Sequence, residues 1–194
     1  MHRDGHCSYL LNNKLKANLL NNKLNITYLN VCGLKSKLLN PDFCYMIKKY
    51  DILIFVEIKT DEFDEINLPS GYSYHVKHRK KFKRKSGGII IIYKDTISKC
   101  FTFPTSNSEF VQWVEIANES SNFTKLLIGC VYIPPENTKY TSDNAFNEIE
   151  NELMSFSQNT KHIAFVGDFN SRNSNLTKHI AFVGDFNSRT SNLT

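Results

Sequence analysis

Five polar residues stand where short apolar runs end. They are Asn30 after Ile26-Thr-Tyr-Leu29, Glu57 after Ile52-Leu-Ile-Phe-Val56, Tyr132 after Leu126-Leu-Ile-Gly-Cys-Val131, and Asp168 with Asn170 after Ile163-Ala-Phe-Val-Gly167. The carboxyl ends of buried strands are where α/β folds commonly gather their sites. A carboxylate such as Glu57, after five apolar residues, is costly to bury without compensation. A hard divalent cation would supply it, because Mg²⁺ accepts carboxylate and amide oxygens and keeps several waters; Glu57 with Asn30 is such a sparse ligand set. For each residue alone the plainer reading is a strand-end group facing water or capping a turn, and five at comparable positions weaken it.

Gly167-Asp168-Phe169-Asn170 is more specific. The glycine suits a sharp turn at the strand end, and Asp and Asn two positions apart can point to one side. One can take a proton from water while the other donates hydrogen bonds to a phosphoryl oxygen. An ordinary β-turn is the competing reading, since all three residue types favour turns. A second constellation is basic: Lys77, Arg79, Lys80, Lys81, Lys83, Arg84 and Lys85 fall within eleven residues, with Tyr72, Tyr74 and Phe82 interleaved. Such a run can displace counterions from a phosphate backbone and offer rings for bases to stack on. A solvated hairpin tip or a nuclear import signal would look the same. His75-x-x-His78 has no evident third ligand and carries little, and Trp113 alternates as a packed strand aromatic.

The elements that must position these groups are short runs of β-branched and aromatic residues at 26–31, 52–57, 88–93, 111–117, 126–132 and 163–167, which read as strands buried on one or both faces. Asn40-Pro41-Asp42 opens a helix to about Tyr50. A second helix runs from Ser142 or Asp143 to Phe156, with Phe146, Ile149, Leu153 and Phe156 on its apolar face. Strands with interspersed helices give an α/β or α+β sandwich. Residues 1–24, rich in Asn, Lys and Leu, read as a disordered or helical leader, 25–172 as the domain, and 173–194 as a duplicated tail. Thr160 to Arg172 recurs letter for letter as Thr177 to Arg189. One compact fold has room for one copy at one strand position, and the short connection from the second helix favours the first; the second is expected to hang as an ill-packed tail.

Composition narrows the class. The 194 residues are 41% hydrophobic and 22% charged, which suits one globular domain. No apolar stretch is long enough to span a membrane and the start lacks a secretory signal, so an intracellular, non-secreted, reduced protein is expected. Five cysteines without a C-x-x-C pair fit that reading. The net charge is +5, and without the seven cations of the basic run 17 basic residues would face 19 acidic ones. The positive charge is local.

Asn30-Val-Cys-Gly-Leu34, Phe55-Val-Glu57, Ser86-Gly-Gly-Ile89, Val131-Tyr-Ile-Pro-Pro135 and Gly167-Asp-Phe-Asn170 occur in an order and spacing that resembles the endonuclease/exonuclease/phosphatase superfamily. The flavour is similar to the endonuclease domain of LINE-type, non-LTR retrotransposons, and the resemblance covers about Leu24 to Arg172. It implies a DNase I-like two-sheet α/β sandwich whose second sheet is incomplete. It further implies Mg²⁺, with Mn²⁺ as a substitute, held by Asn30 and Glu57. Tyr132 would contact the scissile phosphate, Asp168 would activate the attacking water and Asn170 would bind the phosphate, while Gly87 and Gly88 would be structural. DNA is the implied partner, with an original link to a reverse transcriptase domain. The family's later Asp and terminal Ser-Asp-His-type motif have no match here, which leaves two other readings open: a remnant that only binds nucleic acid or another polyanion, and a phosphatase or sphingomyelinase-like hydrolase.

Overall fold

The computed structural model describes residues 15–19, 22–80, 84–117, 125–135, 138, 144–158, 160, 162–170 and 182–185. Two five-stranded sheets are packed face to face. The first takes β1 (Leu15–Leu19), β2 (Asn22–Asn30), β3 (Ile52–Val56), β4 (Tyr72–Lys77) and β5 (Ile89–Lys94) in the order β1-β2-β3-β5-β4. The second takes β6 (Phe101–Thr102), β7 (Val111–Ile116), β8 (Leu126–Tyr132), β9 (His162–Asp168) and β10 (Phe182–Asp185) in the order β10-β9-β8-β7-β6.

Each sheet contains one parallel pair, β2 with β3 and β8 with β9, and its other neighbours are antiparallel. Period-two alternation divides each strand between two cores. Ile52, Ile54 and Val56 of β3 face the second sheet with Ile128 and Cys130 of β8, Ala164 and Val166 of β9. Leu53 and Phe55 face outward onto the helices α1 (Leu34–Leu38) and α2 (Pro41–Ile47), through Leu34, Phe43 and Ile47. Outside the second sheet, α3 (Ala145–Ser157) covers Trp113, Leu127 and Phe165. The result is helix, sheet, sheet, helix, an α/β two-sheet sandwich.

The proline-headed helix forms as the sequence requires: Asn40 accepts the Asp42 N–H at 2.8 Å, and Pro41 occupies the first turn, where its missing N–H costs nothing. Four expectations need correction. Leu15–Leu19 is an edge strand, neither helix nor disordered leader, because the hairpin with β2 supplies ladder bonds that an isolated Asn-rich helix would lack. On α3 Ile149 and Leu153 are buried and Phe156 packs against the same cluster as expected, but Ala145 takes the buried place expected of Phe146, which stays 48% exposed. Tyr72–Lys77, read only as the start of a basic run, is a half-buried edge strand. Finally, part of the second copy pairs as β10 against β9 instead of hanging unpacked. An unpaired strand edge is a template for any β-competent segment, and the copy offers one.

Candidate active site

The carboxyl ends of the two parallel pairs meet across the sandwich. Asn30 ends β2, Glu57 follows β3, Tyr132 ends β8 and Asp168 ends β9. Asn30 Nδ2 donates to Asp168 Oδ2 at 3.1 Å, and the Tyr132 hydroxyl donates to Glu57 Oε1 at 2.6 Å. Both bonds join one sheet to the other, so four strands converge on one group of polar atoms. Backbone bonds fix the loops that leave these strands. Gly33 N–H donates to Glu57 O at 2.8 Å, Lys59 N–H to Gly87 O at 2.9 Å, and Ile133 N–H to Asp168 O at 2.9 Å.

The backbone is held in uncommon conformations there. Among the described residues the non-glycine positions with positive φ are Cys32 (52°), Glu57 (54°), Lys59 (54°) and Asn170 (42°), all in the loops at this end of the sandwich. Left-handed conformations disfavour side-chain-bearing residues by roughly 1 kcal/mol each and cluster where a site needs a particular orientation. After β9 the left-handed position is Asn170. Gly167, expected to provide a sharp turn, lies inside β9, and an added Cβ there would run into the Val131 carbonyl; its smallness serves close approach of β8 and β9. Gly87 and Gly88 are structural, as the resemblance implied. Both have positive φ, and a Cβ on Gly87 would sit 2.9 Å from Arg79 Cδ and 3.1 Å from the Tyr132 ring.

Glu57 is the electrostatic centre. Burial alone would raise its carboxyl, but hydrogen bonds from Tyr132, Cys32 and Asn30 and the charge of Lys59 outweigh it, holding the group below its ordinary 4.5. Cys32 Sγ donates to Glu57 Oε2 at 3.2 Å, and Lys59 Nζ lies 3.6 Å from the same oxygen. Burial, the bond to Glu57 and the charges of Glu57 and Asp168 raise the Tyr132 phenol well above the usual range, against the opposing charge of Arg79. Tyr132 is therefore a neutral donor beside an ionised acceptor. Tyr28, two positions before Asn30, is likewise raised, first by burial and then by the charges of Asp168 and Glu57.

Asn170 supports Asp168 directly. Its backbone N–H donates to Asp168 Oδ1 at 3.1 Å, and its side-chain Nδ2 donates to the Ile133 carbonyl at 2.8 Å, tying the segment just after β9 to the end of β8. The basic run does not form one surface. Lys77 points inward to Ser106 and Val111, Arg79 is 8% exposed with its guanidinium over the Phe110 ring, and Lys85 pairs with Asp61 and Asp64. Lys80 and Arg84 are exposed, whereas Lys81 and Lys83 lie outside the described residues. His75 stacks on Phe103 and His78 meets Thr60, so the two histidines serve separate contacts.

Sequence reasoning missed Tyr28, Cys32, Lys59 and the inward placement of Arg79. Tyr28 and Asn30 share a strand face by alternation, and Cys32 and Lys59 each stand two residues beyond an expected site residue; these spacings were visible. Arg79 gave no such signal. Among the described residues no three His, Cys, Asp or Glu side chains form a ready ligand set. The donors present are the Glu57 and Asp168 carboxylates and the Asn30 amide oxygen, hard oxygens with one carboxylate held ionised, and that chemistry fits Mg²⁺ with waters completing its shell.

Residues 27–193 match the profile of the Endonuclease/Exonuclease/phosphatase family. Among solved structures of similar fold are the AP endonuclease LMAP of Leishmania major (TM-score 0.58, 18% identity, covering 74% of this chain and 54% of that one) and the catalytic domain of Xenopus laevis APE2 (0.57, 15%, 75% and 58%). A third is the 3′ phosphatase NExo of Neisseria bound to a product DNA hairpin (0.52, 16%, 76% and 58%). The chain spans a little over half the length of these structures. No curated protein matches it by sequence.

Proposed function

The chain belongs to the endonuclease/exonuclease/phosphatase family, and from that premise we propose that it hydrolyses phosphodiester bonds of DNA with the aid of Mg²⁺. The observation that carries this reading is the pair of bonds between the sheets, Tyr132 to Glu57 and Asn30 to Asp168, which gathers four strand-end residues at one place. Asn30 and Glu57 would hold the ion, with Asp168 beside them. When bound, Mg²⁺ polarises the phosphoryl group and neutralises the charge that develops on its oxygens.

The protein's own groups do the rest. Asp168, oriented through both carboxylate oxygens by Asn30 and the Asn170 N–H, takes the proton of the attacking water. Tyr132, a neutral phenol, keeps Glu57 in place and stands ready beside the scissile phosphate. Arg79, buried next to the Tyr132 ring, adds fixed positive charge where the phosphate would lie. Asn170 acts here as a brace for Asp168, with its amide spent on the Ile133 carbonyl.

The likeness of Asn30-Val-Cys-Gly-Leu34 and Gly167-Asp-Phe-Asn170 to LINE-type endonucleases supports a mobile-element origin and a reverse transcriptase partner; a reverse transcriptase reading frame adjoining the gene tests that origin. The neighbour bound to a DNA hairpin supports DNA as the substrate class. The polyanion-binding remnant is less favoured, because three of the seven cations it would rely on are engaged within the fold. The deciding experiment incubates supercoiled plasmid with the protein and Mg²⁺. We expect nicking that EDTA abolishes and that Glu57→Gln lowers at least a hundredfold; hydrolysis of phosphomonoesters or sphingomyelin without nicking would overturn the DNA reading.

A further inference from the structure

The 17-residue unit Thr160 to Leu176 returns as Thr177 to Leu193 with one difference, Asn173 against Thr190. β10 is therefore the same Phe-Val-Gly-Asp as Phe165–Asp168, the stretch of β9 that carries the carboxylate of the site. The pairing of the two strands is centred on the repeat. Phe182 lies opposite Phe165, its own counterpart, and Val183, Gly184 and Asp185 lie opposite Ala164, Ile163 and His162.

An antiparallel pair has a local twofold axis perpendicular to the sheet between opposed residues. A half-turn about the axis midway between Phe165 and Phe182 would bring Val183, Gly184 and Asp185 to the places of Val166, Gly167 and Asp168. Every position would receive an identical residue. In the arrangement observed, Asp185 sits at the opposite end of β9 from Asp168, about 20 Å away. After the half-turn it would stand beside Asn30.

We propose that the two copies compete for the place next to β8, and that Asp185 is an alternative occupant of the position of Asp168. Its bearing on catalysis rests on the function proposed above; the strand exchange itself does not. Pairing geometry permits it, because Phe165–Asp168 would then form the edge strand. Residues 158–164 would join it to α3, seven residues that reach about 25 Å when extended.

Connection length sets the balance. From the end of α3 the first copy needs a connection of four residues, 158–161, to enter β9 directly. The second copy reaches the place next to β8 only through 21 residues, 158–178, and loop closure disfavours a connection of that length by about tenfold. The observed order is the major form and the exchanged one is on the order of a tenth of molecules.

Cys130 offers a trap. In the parallel register of β8 and β9 it lies opposite Val166 on the face between the sheets, so a cysteine at 166 is placed for a disulfide in the observed form. Position 183 pairs with Ala164 on the far side of β9, so two strand spacings, about 10 Å, separate it from β8. That is too far for a disulfide. Exchange alone brings position 183 opposite Cys130. The folded full chain carrying Val183→Cys is oxidised with diamide beside Val166→Cys, and the bridges are identified by peptide mass.

The expected result is a Cys130-to-183 disulfide that forms about tenfold more slowly than the Cys130-to-166 disulfide. Its absence from Val183→Cys while Val166→Cys closes overturns the proposal, whatever the hydrolytic activity. In the plasmid assay, Asp168→Ala should keep about a tenth of the nicking, and Asp168→Ala with Asp185→Ala none. Equal rates in those two variants would remove Asp185 from the site. Closure of the trap in Val183→Cys, together with a wild-type chain that nicks nothing, would count against the proposed function and leave the exchange standing.

Discussion

At the residue scale, the Tyr132 hydroxyl decides how Glu57 titrates. A hydrogen bond to an ionised carboxylate contributes roughly 1.5–3 kcal/mol, and one unit of pKa corresponds to about 1.4 kcal/mol. Glu57 is held below its ordinary value, so its charge is present above about pH 4.5 and is lost only as pH falls through the depressed folded value. Tyr132→Phe keeps the ring and deletes the donor. The carboxyl should then lose its charge at higher pH, and calorimetric Mg²⁺ titrations between about pH 4 and 7 should show affinity failing earlier on acidification. Coincident profiles for variant and wild type would mean that Cys32, Asn30 and Lys59 suffice to hold Glu57 ionised. The converse fragility lies at Gly167, where even a methyl group would collide with β8, and Gly167→Ala should cost about 3 kcal/mol in urea unfolding.

At the element scale, α3 does more than cover a sheet. Glu152 accepts the Asn107 and Ser108 N–H groups at 2.7 and 2.8 Å, the Ser106 hydroxyl at 2.8 Å and the Trp113 indole N–H at 2.7 Å. One carboxylate thus fastens the segment before β7, which ends at Phe110, and the Phe110 carbonyl accepts the Tyr132 N–H at 2.9 Å. Burial pushes the Glu152 carboxyl up, but these four donors together hold it below 4.5. Glu152→Ala leaves a buried indole N–H without its partner and should destabilise the fold by about 3 kcal/mol by urea denaturation. Because its folded pKa is depressed, the stabilisation from Glu152 is whole above about pH 4.5 and fades as pH falls through the folded value. The wild-type minus Glu152→Gln difference in stability should therefore shrink on acidification.

Such strapping shows why some of the molecule was legible in the sequence and some was not. The buried strands announced themselves because alternation and β-branching report burial locally, and Asn30, Glu57, Tyr132 and Asp168 were readable as the polar residues that end them. Tyr72–Lys77 escaped because an edge strand half in water has little contrast between its faces. Gly167 was misassigned because a glycine for close approach and a glycine for a turn look alike in sequence. Glu152 gave no signal at all, since its four donors come from 39 to 46 residues away.

At the scale of the whole molecule, the net charge of +5 is a poor guide to where a phosphate backbone would be met. The run from Lys77 to Lys85 looks uniform in sequence, yet the fold turns its members to different uses. Lys77 gives three hydrogen bonds, to Ser106 O at 3.0 Å, Ser106 Oγ at 2.8 Å and Val111 O at 3.1 Å, and burial lowers its pKa against the pull of Glu152, Glu109 and Glu148. Lys85 is matched by Asp61 and Asp64, while Lys80 and Arg84 are exposed. Each cation that displaces a counterion adds about 0.9 to the slope of log affinity against log salt, so the two classes separate cleanly. Anisotropy titrations of a labelled duplex from about 50 to 200 mM salt should show Lys80→Ala with Arg84→Ala lowering that slope by nearly two. Lys77→Ala should leave the slope unchanged and instead cost about 2 kcal/mol of folding stability, because Ser106 and Val111 lose a buried partner. A slope that falls with Lys77→Ala and not with the paired variant would mean that the strand-side cations, beside Arg79 and the Glu57 site, carry the nucleic acid.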